Sequence, residues 1–454
     1  MTVKLIRLVV KGLHESYDYA VDFNQDVTFI YGTNGCGKTT ILNITEAIIT
    51  GQLYKLFDYR FRQIELSYAS SSNITDVEYI KIENKKAELL IEFKHQLCTI
   101  KLEDSSDEIQ QTDRSVRNVA RYYFSRYPAL EELRDTFNYV YLPLNRSATM
   151  YDFNDEYYMM RRYRNRIPFA AEMHFGENKR DPAMLQIESL IWTSYSKISS
   201  SISKINDNFR NSILKSLLEV HRDYDITNMM YEIMNQQNAI SNLQVTRNAY
   251  IKMLKDLGLL TKSEEDNYNK FFEDFIQEFE NLQRDGFNKF ELGLVMKFQE
   301  ISKIKKLLDL AEKMEYSKAA VRKPTETFLH TMNEFIENGA DGKKIEIDSM
   351  GRIFFTTKYS NNPISIQNLS SGEKQLITFF ANLIFNVKSN SSGIFVVDEP
   401  ELSLHLSWQK IFVEKTLELN KNIQLIFATH APEIIGRRRD KMFKLEKQYA
   451  GTVE

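Results

Sequence analysis

The sequence is poor in cysteine and has no long apolar run, and both absences restrict the class of protein. Cys36 and Cys98 are the only cysteines, and they lack the spacing of a metal site. Cys36 lies within a glycine-rich loop that a disulfide would obstruct, so we expect a reducing compartment. No run of about 18 apolar residues is present, and the N-terminus lacks the apolar segment and cleavage site of a secretion signal. We therefore predict a cytoplasmic protein that does not enter a membrane.

An excess of one charge is also missing. The 59 lysines and arginines nearly balance the 62 aspartates and glutamates, which gives a net charge of −3. Any nucleic-acid surface must therefore be a local basic patch. The hydrophobic share of 43% and the charged share of 27% are typical of soluble globular proteins. The length of 454 residues is enough for about two or three domains.

A phosphate-binding pattern lies near the N-terminus. The apolar run Val27–Tyr31 predicts a buried strand, and the apolar spacing becomes helical from Lys38 onward. Between them, Gly32, Gly37, Lys38 and Thr39 satisfy the pattern G-x-x-x-x-G-K-[ST] in the strand-to-helix context that it requires. The sequence therefore predicts a nucleotide-binding loop rather than an ordinary glycine-rich turn.

The chemistry of this loop explains its residue types. Glycines allow successive backbone N–H groups to point inward, and the following helix adds the positive end of its dipole. Lys38 is expected to reach the β- and γ-phosphates of a nucleotide, and the Thr39 hydroxyl is expected to bind Mg²⁺. We therefore predict that a nucleotide binds to the following residues: Gly32, Asn34, Gly35, Cys36, Gly37, Lys38, Thr39 and Thr40.

A second apolar strand ends in two carboxylates, Asp398 and Glu399. A carboxylate at the end of a buried strand is costly without a cation partner. We therefore predict that Asp398 binds Mg²⁺ and that Glu399 orients or deprotonates the attacking water. The alternative is a solvated Asp-Glu pair at the end of a strand.

Two further segments have the chemistry of a phosphate site. Ser370, Ser371 and Gly372 precede a predicted helix, where hydroxyls and free N–H groups favour an anion. Alone, this segment could simply cap the helix. His430 follows the apolar strand Gln424–Ala428, at the strand end where ligands of α/β sheets bind, and it is a candidate γ-phosphate sensor. The alternative for His430 is a structural histidine.

The motifs G-T-N-G-C-G-K-T, L-S-S-G-E-K-Q, V-V-D-E-P-E-L-S-L-H and A-T-H occur in an order that resembles the ABC-type ATPases of the SMC, Rad50, RecF and OLD group. The resemblance implies an α/β fold, in which an ABC-type P-loop ATPase domain with an antiparallel β subdomain is interrupted by a helical, short coiled-coil insertion. It also implies roles for individual residues: Walker A at Lys38 and Thr39, Walker B at Asp398 and Glu399, the signature at Ser370, Ser371, Gly372 and Glu373, the D-loop at Ser403, Leu404 and His405, and the switch histidine at His430.

Members of this group sandwich two ATP molecules between two subunits, so the resemblance implies a homodimer or larger homo-oligomer. Each signature then completes the site of the other subunit. The glutamine loop of the group has no clear counterpart here. Pro143-Leu144-Asn145-Arg146 occupies the equivalent place, and Asn145 or Arg146 is expected to substitute for the glutamine.

The motifs divide the chain into three predicted segments. Residues 1–145 and 341–454 form the two parts of the ATPase domain, and residues 146–340 form the helical insertion. In the first part we expect a turn-rich link between the strands Val3–Val10 and Val27–Tyr31, and an aromatic stretch over Tyr54–Tyr68. Alternating apolar residues predict a small antiparallel meander of three strands: Glu78–Glu83, Glu88–Phe93 and Leu97–Leu102.

The insertion has apolar residues every three or four positions, which predicts helices with one apolar side. The clearest stripes run through Ile191–Phe209, Phe271–Leu282 and Leu294–Leu308. Ordinary core packing is the favoured explanation of these stripes, and a groove for a specific partner is the alternative.

Two functions follow from the resemblance. The first is an ATPase switch that resembles those of bacterial anti-phage systems of the OLD-like, Septu and PARIS types, which slowly hydrolyses ATP and controls a separate effector, such as a nuclease. The second is a RecF- or Rad50-like ATPase that binds DNA in repair. Two arginine clusters are candidate phosphate contacts for the second function, although solvated surface charge explains them equally well: Arg161, Arg162, Arg164, Arg166 and Arg437, Arg438, Arg439.

Overall fold

The structure, a computed structural model, describes residues 3–70, 73–102, 122–137, 139–141, 181–218, 239–285, 292–337, 342–386, 393–402 and 404–449. Two compact units are present. One comprises Met1–Ser194 with Pro324–Glu454, and the other comprises Tyr195–Lys323. The predicted boundaries at 145/146 and 340/341 lie outside the described residues, so the three-segment division stays a prediction.

The described strands, in chain order, are β1 (Val3–Leu13), β2 (Tyr17–Asp22), β3 (Val27–Tyr31), β4 (Gln63–Ser70), β5 (Asn73–Asn84), β6 (Glu88–Phe93), β7 (Gln96–Lys101), β8 (Tyr139–Tyr141), β9 (Lys344–Ile347), β10 (Ile353–Thr357), β11 (Ser360–Ile364), β12 (Ile394–Asp398), β13 (Gln424–Ala428), β14 (Met442–Lys444) and β15 (Gln448–Tyr449).

The helices of the described residues are α1 (Lys38–Ile49), α2 (Pro128–Thr136), α3 (Pro182–Leu218), α4 (Ala239–Asp256), α5 (Lys262–Asp285), α6 (Leu292–Ile336), α7 (Ser371–Ala381), α8 (Leu406–Leu419) and α9 (Pro432–Ile435). No helix in these ranges is long and apolar enough to cross a membrane.

A parallel sheet forms the centre of the first unit. Its described strands have the order β14-β3-β13-β12-β8, and every neighbouring pair is parallel. Alternate residues of the central strands point to two separate cores, as the period of a strand requires. Ile30, Val396 and Ile426 belong to one core, whereas Phe29 and Phe427 belong to the other. Both faces are therefore buried, which explains why these strands are continuous apolar runs.

Helices and a second sheet cover the two faces. The α1 residues Ile41, Ile44 and Ile48 pack in the core that contains Ile30. That core also takes apolar residues from an antiparallel sheet of order β15-β2-β1-β4-β5-β6-β7 in the described part of the chain. On the opposite face, Phe379 of α7 packs against Phe412 of α8, with their ring centroids 4.6 Å apart. The predicted fold class, α/β with an antiparallel subdomain and a helical insertion, is confirmed.

Two strands of the N-terminal part were not predicted. The link between β1 and β3 is not merely turn-rich, because it contains β2, which pairs with β1. The aromatic stretch Tyr54–Tyr68 contains most of β4, which lies between β1 and β5 in the sheet. The strand β4 was predictable from the alternation of Ile64, Leu66 and Tyr68 with other residues, whereas β2 is short and includes the buried acidic residue Asp18. The meander is confirmed as β5, β6 and β7.

The second unit has its own aromatic core. Phe272, Phe275 and Phe279 of α5 are fully buried, and so is Phe298 of α6. The rings of Phe275 and Phe298 meet edge to face, with 5.0 Å between their centroids. The predicted stripes of α5 and α6 therefore form an ordinary core.

A buried glutamine joins the two sheets of the first unit. Gln424 begins β13 and is fully buried. Its Oε1 accepts a hydrogen bond from the Leu5 N–H at 2.8 Å, and its Nε2 donates to the Leu5 carbonyl at 2.9 Å and to the Asn24 carbonyl at 2.7 Å. One side chain thus bonds two backbone groups of Leu5 in β1 and one of Asn24, which precedes β3.

Replacing this glutamine should destabilise the first unit. Gln424→Leu conserves volume but leaves the three backbone groups buried without partners, so we expect a loss of about 2 to 4 kcal/mol in the free energy of unfolding. Urea denaturation measures the loss. Gln96→Leu on the exposed edge strand β7 is the control and should change stability by less than about 0.5 kcal/mol. Equal effects of the two variants would contradict the structural role of Gln424.

Candidate active site

The loop between β3 and α1 depends on its glycines. Gly35 and Gly37 have φ angles of +75° and +104°, in the left-handed region that favours glycine. A Cβ on Gly32 would lie 2.7 Å from the Cys36 Sγ and 2.9 Å from the Leu445 carbonyl oxygen. The left-handed backbone at Gly35 and Gly37 and the close contacts at Gly32 therefore disfavour other residue types. Gly37 forms the N-terminal boundary of α1.

Tyr19 supports this loop, and sequence reasoning missed it because β2 was not predicted. Its hydroxyl donates to the Cys36 carbonyl at 3.1 Å, and a Cβ on Gly37 would come within 3.0 Å of the same hydroxyl. Burial raises the pKa of Tyr19, and neighbouring Cys36 and Tyr17 add to the effect. The phenol therefore remains a neutral donor.

Lys38 is folded over the loop. Its side chain is buried, and its Nζ donates to the Gly32 carbonyl at 3.1 Å and to the Thr33 carbonyl at 3.5 Å. The ammonium group thus lies at the mouth of a loop that has no acidic residue of its own. This position is suited to a ligand of negative charge.

The loop meets the second predicted motif directly. The Thr39 hydroxyl donates to Oδ2 of Asp398 at 2.8 Å, across 359 positions of sequence. The other carboxylate oxygen, Oδ1, is buried and has no hydrogen-bond partner among the described residues. Burial raises the pKa of Asp398; the negative charges of Glu399 and Glu401 act in the same direction, whereas Thr39 and Lys38 oppose it.

These oxygen atoms fit Mg²⁺. A hard cation prefers carboxylate and hydroxyl oxygens, and Mg²⁺ is commonly held by one or two protein ligands together with substrate phosphates. Asp398 Oδ1 is a buried acceptor that a cation would satisfy, and the Thr39 hydroxyl lies beside it. Within the described ranges no group of three His, Cys, Asp or Glu side chains could hold a metal, so an all-protein cage is not the type of site found there.

Glu399 has an unusual backbone conformation. Its φ angle is +49°, although it is not glycine. The Glu399 N–H donates to the Ala428 carbonyl at 2.8 Å, which holds the residue at the end of the sheet. A left-handed conformation costs a non-glycine residue about 1 to 2 kcal/mol, and such strain is concentrated at functional sites. The Glu399 side chain is half-buried.

His430 lies at the same edge and is exposed. Because β12 and β13 are parallel and Asp398 pairs with Ala428, His430 follows β13 where Glu399 and Glu401 follow β12. Glu401 contacts this segment: its Oε1 accepts from the His430 N–H at 2.6 Å, and its Oε2 accepts from the Thr429 hydroxyl at 2.8 Å. Glu401 had no predicted role, although the run D-E-P-E was visible in the sequence.

The signature segment is a well-formed helix start. Ser370 caps α7, and the Glu373 side chain accepts from both the N–H and the hydroxyl of Ser370 at 2.8 Å. Lys343 forms an ion pair with Glu373 at 2.9 Å. Burial alone would raise the pKa of Glu373, but the hydrogen bonds from Lys343 and Ser370 outweigh it and lower that pKa.

Ser371 is exposed at the first position of α7, and Gly372 is buried behind it. In the described part of the chain, no hydrogen bond or ion pair joins Ser370–Glu373 to the loop Gly32–Thr39. The structure therefore brings together the loop, Asp398, Glu399 and His430. The signature residues Ser370 and Glu373 instead contact each other, and Glu373 also contacts Lys343. Glu373 lies beneath the serines, and its predicted contact with nucleotide stays a prediction.

The remaining predicted residues divide into described and undescribed positions. Leu404 is buried, and His405 caps α8, its Nδ1 accepting from the Ser407 N–H at 3.3 Å. Asn34, Gly35 and Thr33 are exposed on the loop, and Thr40 lies in the first turn of α1. Ser403, Asn145, Arg146 and the cluster Arg161–Arg166 lie outside the described residues.

The second arginine cluster is only partly available for a ligand. Arg438 lies 3.5 Å from the Asp26 carboxylate, which Lys441 also contacts at 3.1 Å. Arg439 instead lines a cavity of about 650 Å³ beside the phosphate loop, together with Gly32, Thr33, His430 and Lys444. The cationic lining of this cavity suits an anion near the loop.

Known proteins share the sequence pattern of this chain. Residues 4–435 match the family described as AAA ATPase domain. The Retron Vc95 probable ATPase of Vibrio cholerae serotype O1 biovar El Tor is 29% identical over 202 residues, which cover 39% of this chain and 38% of that protein. The Retron Ec83 probable ATPase of Escherichia coli is 33% identical over 84 residues, or 16% of each chain. The matched regions thus span less than two-fifths of either relative.

The solved structures that align with this chain include Smc head domains. One, from Pyrococcus furiosus, has an extended coiled coil and is bound to the C-terminal domain of ScpA; it is 12% identical with a TM-score of 0.41 and covers 98% of this chain and 96% of its own. Another, from Pyrococcus yayanosii, has a coiled coil and joint. It is 12% identical with a TM-score of 0.37, and the alignment covers 95% of this chain and 93% of that structure's chain.

The strain at Glu399 can be measured. Glu399→Asn replaces the residue with one that tolerates a left-handed conformation, so we expect the free energy of unfolding to rise by about 0.5 to 1 kcal/mol. Glu399→Val is the matched opposite, because a β-branched residue is disfavoured there, and it should lower that free energy. Urea denaturation of both variants measures which has the larger free energy of unfolding. A Val variant as stable as the Asn variant would contradict the left-handed conformation.

Proposed function

Because this chain belongs to the AAA ATPase domain family, we propose that the carboxyl edge of its parallel sheet binds ATP with Mg²⁺ and hydrolyses the γ-phosphate bond. The observation that carries the proposal is the hydrogen bond of 2.8 Å between Thr39 and Asp398. It joins the phosphate loop to a buried carboxylate from a distant part of the sequence. A structural turn would not require both the buried lysine and the unsatisfied carboxylate oxygen beside it.

Each residue has a distinct role in this proposal. The backbone N–H groups from Gly32 to Thr40 and the Lys38 ammonium hold the phosphates. Thr39 and Asp398 would hold Mg²⁺, which neutralises charge on the phosphate oxygens when bound. Glu399 orients the attacking water and accepts its proton, and His430 contacts the γ-phosphate.

Two copies of the chain are needed for a complete site in this proposal. Ser371 and Gly372 begin α7, whose N–H groups and dipole favour an anion, yet this segment has no hydrogen bond or ion pair with the loop within the described residues of its own chain. We therefore propose that the signature of one chain contacts the ATP held by the loop of another. Homodimerisation through ATP, or a larger homo-oligomer, is the expected assembly.

The proposed biological role is an ATPase switch in bacterial anti-phage defence. Similarity to two retron ATPases favours this role over a repair enzyme. We expect slow hydrolysis and control of a separate effector, such as a nuclease, by the ATP-bound assembly. Co-purification of an effector with the chain would support this role.

The alternative is a RecF- or Rad50-like DNA-binding ATPase. The observation that favours it is the exposed pair Arg437 and Arg439, of which Arg439 lines the cationic cavity beside the loop. Salt-dependent DNA binding that is lost in Arg437→Ala and Arg439→Ala would support the alternative.

Loss of the loop lysine tests nucleotide binding. Lys38→Ala removes the only buried ammonium of the loop, so we expect ATP affinity to fall by at least about a hundredfold, the value of a charge-assisted contact with phosphate. Calorimetry with Mg·ATP measures the change. Lys421→Ala, at an exposed turn before β13, is the control and should bind ATP normally. Undiminished binding by Lys38→Ala would exclude this loop as the site.

Removal of the proposed base tests the chemistry. Glu399→Gln keeps the shape of the side chain but cannot accept a proton, so we expect hydrolysis to fall by about 10² to 10⁴ while ATP still binds. The variant should then accumulate as an ATP-bound dimer or larger oligomer. Size-exclusion chromatography with light scattering, with ATP or ADP, measures the assembly. Normal hydrolysis by Glu399→Gln would show that another group is the base.

A further inference from the structure

Glu401 occupies a point where three strand ends meet. It lies in the short helical turn Pro400–Leu402 that follows β12. Its carboxylate reaches the segment after β13 and binds the Thr429 hydroxyl and the His430 N–H. Thr429 in turn donates its N–H to the Ile30 carbonyl of β3 at 3.2 Å, close to the start of the phosphate loop.

Thr429 forms a directed chain of hydrogen bonds with this carboxylate. Its hydroxyl accepts from the Ala431 N–H at 3.0 Å, so its own hydrogen is free to donate to Glu401. Thr429 is fully buried, whereas the next residue, His430, is exposed. The buried hydroxyl therefore fixes the direction in which the exposed histidine leaves the sheet.

The turn that carries Glu401 is held from behind. Gln409 of α8 is buried, and its Nε2 donates to the Leu404 carbonyl at 2.9 Å and to the Glu401 carbonyl at 3.3 Å. The backbone of Glu401 is therefore fixed by α8, and its side chain transmits that position to His430.

The surroundings of the Glu401 carboxylate are those of a structural hydrogen-bond acceptor. It lies near Asp398 and Glu399, and three carboxylates in one turn repel each other. Both oxygens of Glu401 accept hydrogen bonds from the segment after β13, whereas Asp398 has one buried oxygen without such a partner. The donors to Glu401 are a hydroxyl and a backbone N–H, which are the partners of a structural anchor rather than of a metal ligand.

We infer that Glu401 is a positioning residue that sets the location of His430 relative to Asp398 and Glu399. The inference rests on the proposed ATPase function. The two glutamates of D-E-P-E then have different roles. Glu399 orients the attacking water and accepts its proton, whereas Glu401 positions His430, the proposed γ-phosphate contact. Glu401 itself contacts neither ATP nor water in this assignment.

The first test compares kinetics in two backgrounds. Glu401→Gln conserves shape but presents an NH₂ group to one of the two donors, so we expect kcat to fall by about ten- to a hundredfold, the effect of misplacing a catalytic group. Affinity for a slowly hydrolysed ATP analogue should change by less than about threefold. In a His430→Ala background the same substitution should lower kcat by less than about threefold, because there is no imidazole left to position.

Matched variants separate this role from general destabilisation. Thr429→Val removes the hydroxyl donor at constant volume and should lower kcat as Glu401→Gln does. Thr429→Ser keeps the hydroxyl and should have a kcat close to that of the wild type. Glu433→Gln, three residues beyond His430, changes a nearby carboxylate and should leave kcat unchanged. An equal loss from Glu401→Gln in the wild-type and His430→Ala backgrounds would overturn the inference.

A measurement without turnover completes the test. Hydrogen–deuterium exchange of the peptide that spans Thr429 to Ile435 should be faster by about tenfold in Glu401→Gln, the equivalent of one charge-assisted hydrogen bond, and unchanged in Glu433→Gln. Unchanged exchange in Glu401→Gln would overturn the inference. A wild-type chain without Lys38-dependent hydrolysis would instead contradict the proposed function, and the exchange comparison would still decide whether Glu401 holds this segment.

Discussion

The hydrogen bond between Thr39 and Asp398 is the interaction on which the candidate site depends. It requires that β3 and β12 end at the same edge of one sheet, with β13 between them in register. That register follows from burial: the alternating residues of these strands fill two different cores, and a slip by one residue would send each set into the wrong one. The packing of the sheet thus determines the distance between a loop hydroxyl and a carboxylate that are 359 positions apart.

The same edge concentrates features that oppose stability. Asp398 has a buried oxygen without a hydrogen-bond partner and a raised pKa, because burial disfavours its charged form. Glu399 has a left-handed backbone that its residue type disfavours. Buried polar groups and strained backbones persist when the surroundings determine them and a ligand makes use of them. Their coincidence at one sheet edge supports a charged ligand there more strongly than either feature alone.

Hydrogen bonds that bridge elements account for how this edge keeps its geometry. Tyr19 of β2 supports the loop, Gln424 joins the parallel sheet to β1 of the antiparallel sheet, and Glu401 connects the turn after β12 to His430. Each contact crosses between elements that are distant in sequence. None of these three residues belongs to a phosphate-binding pattern, so their roles were not predicted.

The sequence by itself determined the motifs and most of the central elements. Local signals made several elements predictable. The phosphate loop has glycines at positions where the backbone favours glycine, the strands β12 and β13 are continuous apolar runs, and the helix after Ser370 begins with a capping serine and a glutamate three residues later. The strand β4 was missed although its residues alternate as in a strand, and β2 was missed because it is short and includes the buried Asp18. The motifs led us to expect Thr39 and Asp398 at one Mg²⁺ site, but only the tertiary structure decided their direct hydrogen bond and the contact of Glu401 with the His430 N–H. Both contacts follow from strand order and register, which no local pattern encodes.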